Sequence, residues 1–309
     1  MAVQIPTLSA DKTFERRSPS VEALRRFLYH RSAQAGLLIF AILVLTAIFA
    51  PWIAPYNPIL PLKDVVRRAA PCIHLLGCPA DQPQHLMGID SNSRDLFSRV
   101  VFGSRLSLEI GISTISVAIL IGGLLGVIAG FFGGWVDNVI MRVMDILMAF
   151  PALLLAIAIV SVLGEGLINA LLAIAIVSIP GYARVLRSSV LSVKGLDYVT
   201  ASRSLGASNL RLIFTSILPN SLTPLIVQGT LGIASAILNA AALSFLGLGA
   251  QPPTPEWGLM LGQESNSVFN APHLVFFPGL AIMITVLAFN LAGDGLRDAL
   301  DPRLNRTAS

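Results

Sequence analysis

TASRSLGASNLRLIFTSILPN, residues Thr200 to Asn220, is a polar, basic stretch lodged between two long apolar runs, and its reading decides the fold. Asp197 stands where it can cap a short helix whose face Tyr198, Ala201, Ser202, Leu205 follows the 3.6-residue period. Gly206 supplies a turn where left-handed backbone costs little, and Ser208 can cap a second helix, Asn209 to Leu218, which Pro219 ends or kinks. Two short helices at an angle, set outside a membrane, make a knob suited to docking.

The flanking runs put the rest of the chain in a bilayer. Of 309 residues, 54% are hydrophobic and 12% charged, with a mean hydropathy of +0.76, more apolar surface than one globular core hides. Each crossing needs roughly twenty mostly apolar residues. Six stretches qualify: Ala35 to Ala54, Leu106 to Phe132, Val139 to Leu163, Leu167 to Leu186, Leu222 to Leu248 and His273 to Ala292. The third contains Pro151, tolerable in a membrane where neighbouring helices satisfy the freed carbonyl, and the fourth is bent at Pro180 and Gly181. The fold expected is an all-α integral membrane protein with a cytoplasmic arm at 1–34, a first span at 35–54, and an extracytoplasmic segment at 55–105. A five-span core follows at 106–296, with the knob at about 197–207, and a cytoplasmic tail at 297–309.

Basic residues orient it. Lys12, Arg16, Arg17, Arg25, Arg26 and Arg31 precede span one, and Lys194, Arg203 and Arg211 lie between spans four and five, with Arg184 and Arg187 at that edge. Both regions are read as cytoplasmic, and the even span count places both termini there. The 55–105 segment also holds Lys63, Arg67, Arg68, Arg94, Arg99 and Arg105, but long loops translocate with little regard to charge. The pI near 9.4 is therefore topogenic, and the scattered basic residues form no nucleic-acid-binding face. Some thirty polar residues precede span one with no small-residue cleavage site after it, unlike a signal peptide. VEALRRFLYHRSA reads either as an interfacial helix, with Leu24, Phe27 and Leu28 toward lipid, or as a solvated basic leader.

The knob resembles the cytoplasmic signature of ABC-importer membrane subunits, written EAA, three residues, Gly, then Leu-Pro twelve residues on. Thr200, Ala201 and Ser202 stand at the EAA positions, Gly206 at the Gly, and Leu218 and Pro219 at the Leu-Pro; Thr200 for Glu and Ser202 for Ala are departures. HLMGIDSNSRDLFSRVVFGSRLSL, His85 to Leu108, resembles the outer segment of dipeptide/oligopeptide permeases of the DppC/OppC type. GFFGGWVDNVIMRVMDILMAFP (Gly130 to Pro151), LSFLGLGAQPPTPEWGLML (Leu243 to Leu261) and NLAGDGLRDALDPR (Asn290 to Arg303) extend the likeness over most of the chain. It implies a six-helix type I ABC importer transmembrane subunit of the bacterial inner membrane, non-catalytic itself. A homologous permease would supply the other half of the path, two ABC ATPases would bind ATP and Mg, and an extracytoplasmic binding protein would deliver substrate. No phosphate-cradling G-x-x-x-x-G-K-[ST] surrounds Lys12, Lys63 or Lys194. ATPase coupling then falls to Asp197, Tyr198, Thr200, Ala201, Ser202, Arg203, Leu205, Gly206 and Ala207. Peptides are the expected substrate, with glutathione or nickel chelates as alternatives.

Gly122, Gly126, Gly130 and Gly134 recur every fourth residue and make a flat ridge for close helix packing, within this subunit or against the partner permease. Arg142 and Asp145, three apart at the start of span three, predict a cytoplasmic-end ion pair that orients the helix rather than a substrate site. Ser113, Ser178, Ser235 and Asn239 are candidates to line a path, or to bond neighbouring helices. Cys72 and Cys78 lie in one exported segment and predict a disulfide; reduced thiols are the alternative. A metal set with His74 and His85 matches no standard zinc spacing.

Two other classes fit less well. A proton-coupled secondary transporter needs carboxylates at mid-membrane, yet Glu109, Asp137, Asp145 and Asp294 fall near span ends and Glu165 in a short turn. A membrane enzyme needs a convergent nucleophile and base, and His30, His74, His85 and His273 are scattered.

Overall fold

The structure is a computed structural model that describes residues 27–79 and 81–300. Lys12, Arg16, Arg17, Leu24, Arg25 and Arg26 of the arm lie outside the described residues, as does the tail after residue 300. Among the described residues the regular structure is helical, apart from two isolated β-bridges. Among the described residues five helices are long and apolar enough to cross a bilayer, and there are six if a bent pair is counted as one span.

Span one is α1 (Arg31–Ile48), extended by a turn at Ala50–Ile53. Span two is α2 (Leu96–Phe132), which begins ten residues before the apolar run does. Its early start has a local cause. The Asp95 carboxylate accepts from the Ser98 amide at 2.8 Å and the Ser98 hydroxyl at 2.7 Å, capping a helix whose first turns carry Ser98 and Arg99 among apolar residues. At the other end Gly133 and Gly134, at φ +67° and +58°, turn the chain out of the helix.

Span three differs from the expected bent helix. It is broken into α3 (Gly134–Met148) and α4 (Ala152–Leu163), at 91° to one another. Pro151 caps α4 with extended backbone (φ −56°, ψ 129°), and neither it nor the exposed Phe150 before it is covered by a neighbouring helix. Pro180 and Pro278 are buried among helices and stay inside continuous ones. Pro224 stays inside the helix Leu218–Phe245 although it is exposed, so a membrane proline does not by itself end a helix. Twelve residues of α4 cover only about 18 Å.

Span four is α5 (Leu167–Lys194), followed by the short α6 (Asp197–Ser204). Span five is α7 (Asn209–Phe245), which runs through Pro219 without a break; a π-helical stretch at Leu212–Ile217 just before the proline absorbs the missing donor. The second helix of the predicted knob is thus the root of span five and not a separate element. After α7 come α8 (Trp257–Glu264) and span six, α9 (His273–Leu300).

The bundle forms around α2 and α5. A Cβ on Gly122 would lie 2.7 Å from the Ile179 carbonyl oxygen, one on Gly126 2.5 Å from that of Ala183, and one on Gly130 2.8 Å from Val190 Cγ1. The contacts advance together, so α2 and α5 run parallel at backbone contact. Against α7 they run in opposite order, Gly111 meeting Ile237 and Ile119 meeting Gly229, so α7 is antiparallel. Gly134 does not belong to the ridge: it lies past the end of α2, with nothing within 4 Å of a Cβ there. Leaving the helix at Gly133 removes the fourth position from the row.

The expected Arg142–Asp145 pair is absent among the described residues. Asp145 bonds Arg184 of α5 at 2.6 Å, and Asp137 takes both arms of Arg187 at 2.5 Å. The carboxylates of α3 pair instead with α5, which brings two arginines of its own, and Arg142 is left exposed.

Candidate functional site

Three places along the bundle axis hold the chemistry. At one end α6 stands off the bundle. Asp197 is its first residue and not its cap: Leu196 occupies the cap position and no side chain bonds there. The acid instead sits in the first turn, where the helix dipole favours it. The inward anchor is Val199, 1% exposed, packed into the core with Leu212, Ile213 and Ile217. Tyr198, Ala201 and Leu205, read as the helix's apolar face, point outward, and Leu205 is 89% exposed. The Tyr198 hydroxyl donates to the Ser216 carbonyl at 3.2 Å and ties the helix to the root of α7.

The hydroxyls of Thr200, Ser202 and Ser204 each donate to the carbonyl four residues earlier, leaving Arg203 as the charged exposed group of the last turn. The helix then ends in a Schellman arrangement: Ala207 N–H donates to the Ser202 carbonyl and Gly206 N–H to that of Arg203, with Gly206 at φ +84°. The Ser208 hydroxyl caps α7 by accepting from the Arg211 amide at 3.4 Å. Beyond it Leu210 and Phe214, four apart, are 70% and 63% exposed. This end of the molecule therefore presents Leu205, Leu210 and Phe214 on rigid, capped elements.

Midway, a cavity of about 380 Å³ lies between α2, α5 and α7 and is closed on one side by Met148, Phe150 and Ala152 of the α3–α4 elbow. Its polar lining is Ser178, Tyr182, Gln228 and Ser235, with Gly181 and Gly232 as bare backbone. Of the four hydroxyl and amide candidates, Ser178 and Ser235 meet here; Ser113 and Asn239 do not. Ser178 donates to the Ile174 carbonyl at 2.7 Å and Ser113 to that of Glu109 at 2.6 Å, each within its own helix. Gln228 was legible as the lone long amide of span five, and Tyr182 as the lone tyrosine of span four; neither stands out by spacing.

At the opposite end a buried polar cluster caps the helices. Asp90 accepts from the Arg94 side chain at 2.7 Å and the Arg94 amide at 2.8 Å. Arg99, 1% exposed, donates to the carbonyls of Pro58, Pro253 and Thr254. Glu264 takes the amide and hydroxyl of Ser91, so α8 is clamped to the start of α2. Trp257 adds a bond from its indole to the Val100 carbonyl at 3.0 Å. Glu256 caps α8 through the Gly258 and Leu259 amides; burial pushes its carboxyl up, and those bonds only partly offset the effect. Cys72 and Cys78 are joined in a disulfide, with Cα atoms 5.4 Å apart. His74 bonds the Gln82 carbonyl and His85 the Asp95 carboxylate, so the two imidazoles point to separate partners.

Residues 122–306 match the family model described as binding-protein-dependent transport system inner membrane component, and residues 18–71 match that of the N-terminal TM domain of oligopeptide transport permease C. The chain is 49% identical over 300 residues to the di/tripeptide transport system permease protein DppC of Pseudomonas aeruginosa, covering 97% of each. It is 45% identical over 288 residues to the glutathione transport system permease protein GsiD of Pectobacterium atrosepticum, covering 93% of this chain and 92% of the relative. In fold it is similar to a chain of the inward-facing MetNI methionine ABC transporter, with a TM-score of 0.55 at 19% identity over 66% of this chain and 97% of the other. With its apolar helices, this makes it a multi-pass inner-membrane transport permease with the type I ABC importer fold. The family model covers more than half the chain, and the chain belongs to the binding-protein-dependent transport system inner membrane components.

Proposed function

We propose that this chain forms half of the translocation path of an ATP-driven importer of small peptides, pairing with a homologous permease. Two ATPase subunits, which bind ATP and Mg, grip the knob at α6, and an extracytoplasmic binding protein delivers substrate to the disulfide end. Both termini are cytoplasmic in this reading, in keeping with the Arg-rich arm and the arginines at the knob end of α5.

The observation that carries it is the exposure of Leu205. A leucine 89% exposed beside a Schellman turn, with Leu210 and Phe214 near it, is apolar surface on a rigid mount, which a soluble monomer does not leave uncovered. Peptide as substrate is supported by the relatedness to di/tripeptide and glutathione permeases, glutathione being itself a tripeptide. The cavity lining of hydroxyls, an amide and bare backbone suits a ligand made of amide bonds.

Substituting Leu205→Glu tests the docking. The reconstituted complex is expected to insert normally, to lose binding-protein-stimulated ATP hydrolysis, and to release the ATPase on purification, since a carboxylate buried at an interface costs several kcal/mol. Val199→Asp, by contrast, should abolish stable insertion, because Val199 anchors the helix to the core. Wild-type uptake by the Leu205→Glu complex would remove the docking role from this helix.

A further inference from the structure

The buried charges at the disulfide end are engaged: Arg94 with Asp90, Arg99 with three carbonyls, Asp95 with His85 and Ser98, Glu264 with Ser91. Two further charges on α2 are not. Arg105 and Glu109 are exposed, and among the described residues neither side chain has a hydrogen-bond or ion-pair partner. They begin where the capping segment stops, since a Cβ on Gly103 would lie 2.8 Å from the Pro255 carbonyl. Four residues apart on a helix, they share one face with Cβ atoms about 6 Å apart.

The same face continues down the helix with Ser113 and Ser116, both exposed, so a polar column of about 16 Å runs from Arg105 into the apolar part of the span. On that face Ile112 and Leu120 are also exposed, so among the described residues no other part of this chain covers it. Charged groups on a membrane span face a water-filled space or a polar partner and not hydrocarbon. A guanidinium and a carboxylate held apart on one face complement a ligand that carries one charge of each sign. The termini of a dipeptide, about 7 Å apart when extended, fit that spacing.

We infer that Arg105 and Glu109 form a recognition pair at the mouth of the path, Arg105 taking the carboxylate and Glu109 the ammonium end of a zwitterionic substrate. Ser113 and Ser116 carry the wetted face inward. This rests on the peptide-importer reading and adds to it where the substrate's charges are met. An arginine suits the carboxylate because its planar fork binds both oxygens.

The two native cysteines are bonded to each other, so an engineered one is the free thiol. In the complete complex in lipid discs, Arg105→Cys, Glu109→Cys and Ser116→Cys are treated with an anionic (sulfonatoethyl) and a cationic (trimethylammonioethyl) methanethiosulfonate. Leu45→Cys, an exposed apolar position on α1, serves as reference. All three α2 positions are expected to react faster than position 45. Glu109→Cys, beside Arg105, should prefer the anionic reagent by about threefold, and Arg105→Cys, beside Glu109, the cationic one by as much. A dipeptide with free termini should slow labelling at 105 and 109 more than its acetylated, amidated form.

Labelling at 105 alone would place Arg105 among lipid headgroups and overturn the proposal. Three unreactive positions would mean that the partner permease or lipid seals this face, which overturns it equally, as would reactivity without charge preference. Dipeptide uptake by the unsubstituted complex separates the two readings. Uptake without protection overturns the pair and leaves the importer standing, whereas no uptake overturns the peptide reading and the pair with it.

Discussion

Gly126 of α2 lies against Ala183 of α5 so closely that a Cβ on the glycine would sit 2.5 Å from the Ala183 carbonyl oxygen and 3.1 Å from the Arg187 amide nitrogen. Both obstacles are backbone, which cannot rotate aside. The approach of α2 to α5 is therefore set by a hydrogen atom where other residues carry a carbon. In hydrocarbon, where apolar burial gives little drive for helices to associate, such close packing is what holds them.

Gly126→Ala is expected to destabilise the purified protein by about 1 to 3 kcal/mol, the usual cost of forcing a methyl into a filled space. Gly181→Ala, on the other helix of the pair, should be neutral or stabilising by roughly 0.5 to 1 kcal/mol, since a Cβ there meets nothing within 4 Å and alanine favours helix. Thermal unfolding midpoints in detergent read both. Equal shifts in the same direction would refute the packing account.

Asp137 and Arg187 bond through two parallel contacts, with 14% and 33% of their side chains exposed. Arg187→Ala should cost about 1.5 to 3 kcal/mol, the worth of hydrogen bonds to a charged group, whereas Arg142→Ala should change stability by less than about 0.5 kcal/mol. A double-mutant cycle of Asp137→Asn with Arg187→Ala is expected to show coupling, and one of Asp145→Asn with Arg142→Ala none. The reverse result would restore the pairing within α3.

Glu256 gives a pH dependence whose sign can be worked out. Burial raises its folded-state value above the ordinary 4.5, so the folded protein holds that proton more tightly than the unfolded chain. The resulting stabilisation is fully present below 4.5 and is lost as pH rises through the folded value. The stability of wild type relative to Glu256→Gln should therefore fall as pH rises above 4.5, since glutamine does not titrate. Melting midpoints of both proteins across that range test it, and a difference that grows with pH would show the carboxylate to be net stabilised where it sits.

The spans were legible because each is a run of apolar residues longer than a bilayer is thick, a property of composition alone. Helix ends were legible where a local device marks them: Gly206 with its left-handed backbone and Ser208 with its capping hydroxyl both stand where periodicity puts them. Misreadings fell where a neighbour decides. Pro151 and Pro180 look alike in sequence, yet the chain breaks at the first and runs helical through the second. Asp145 finds Arg184, 39 positions away, rather than Arg142 on its own helix.

Residue order by itself determined the membrane class, the spans, the knob between spans four and five, and through its motifs the resemblance to importer permeases, because these depend on local pattern over a turn of helix or a bilayer's thickness. Tertiary structure alone decided which glycines touch, which arginines pair, and that Ser178, Gln228 and Ser235 share one cavity while Arg105 and Glu109 are left facing outward. Those outcomes depend on the rotation of each helix about its axis and on the 91° turn at the α3–α4 elbow, which arise from packing among segments far apart in the chain.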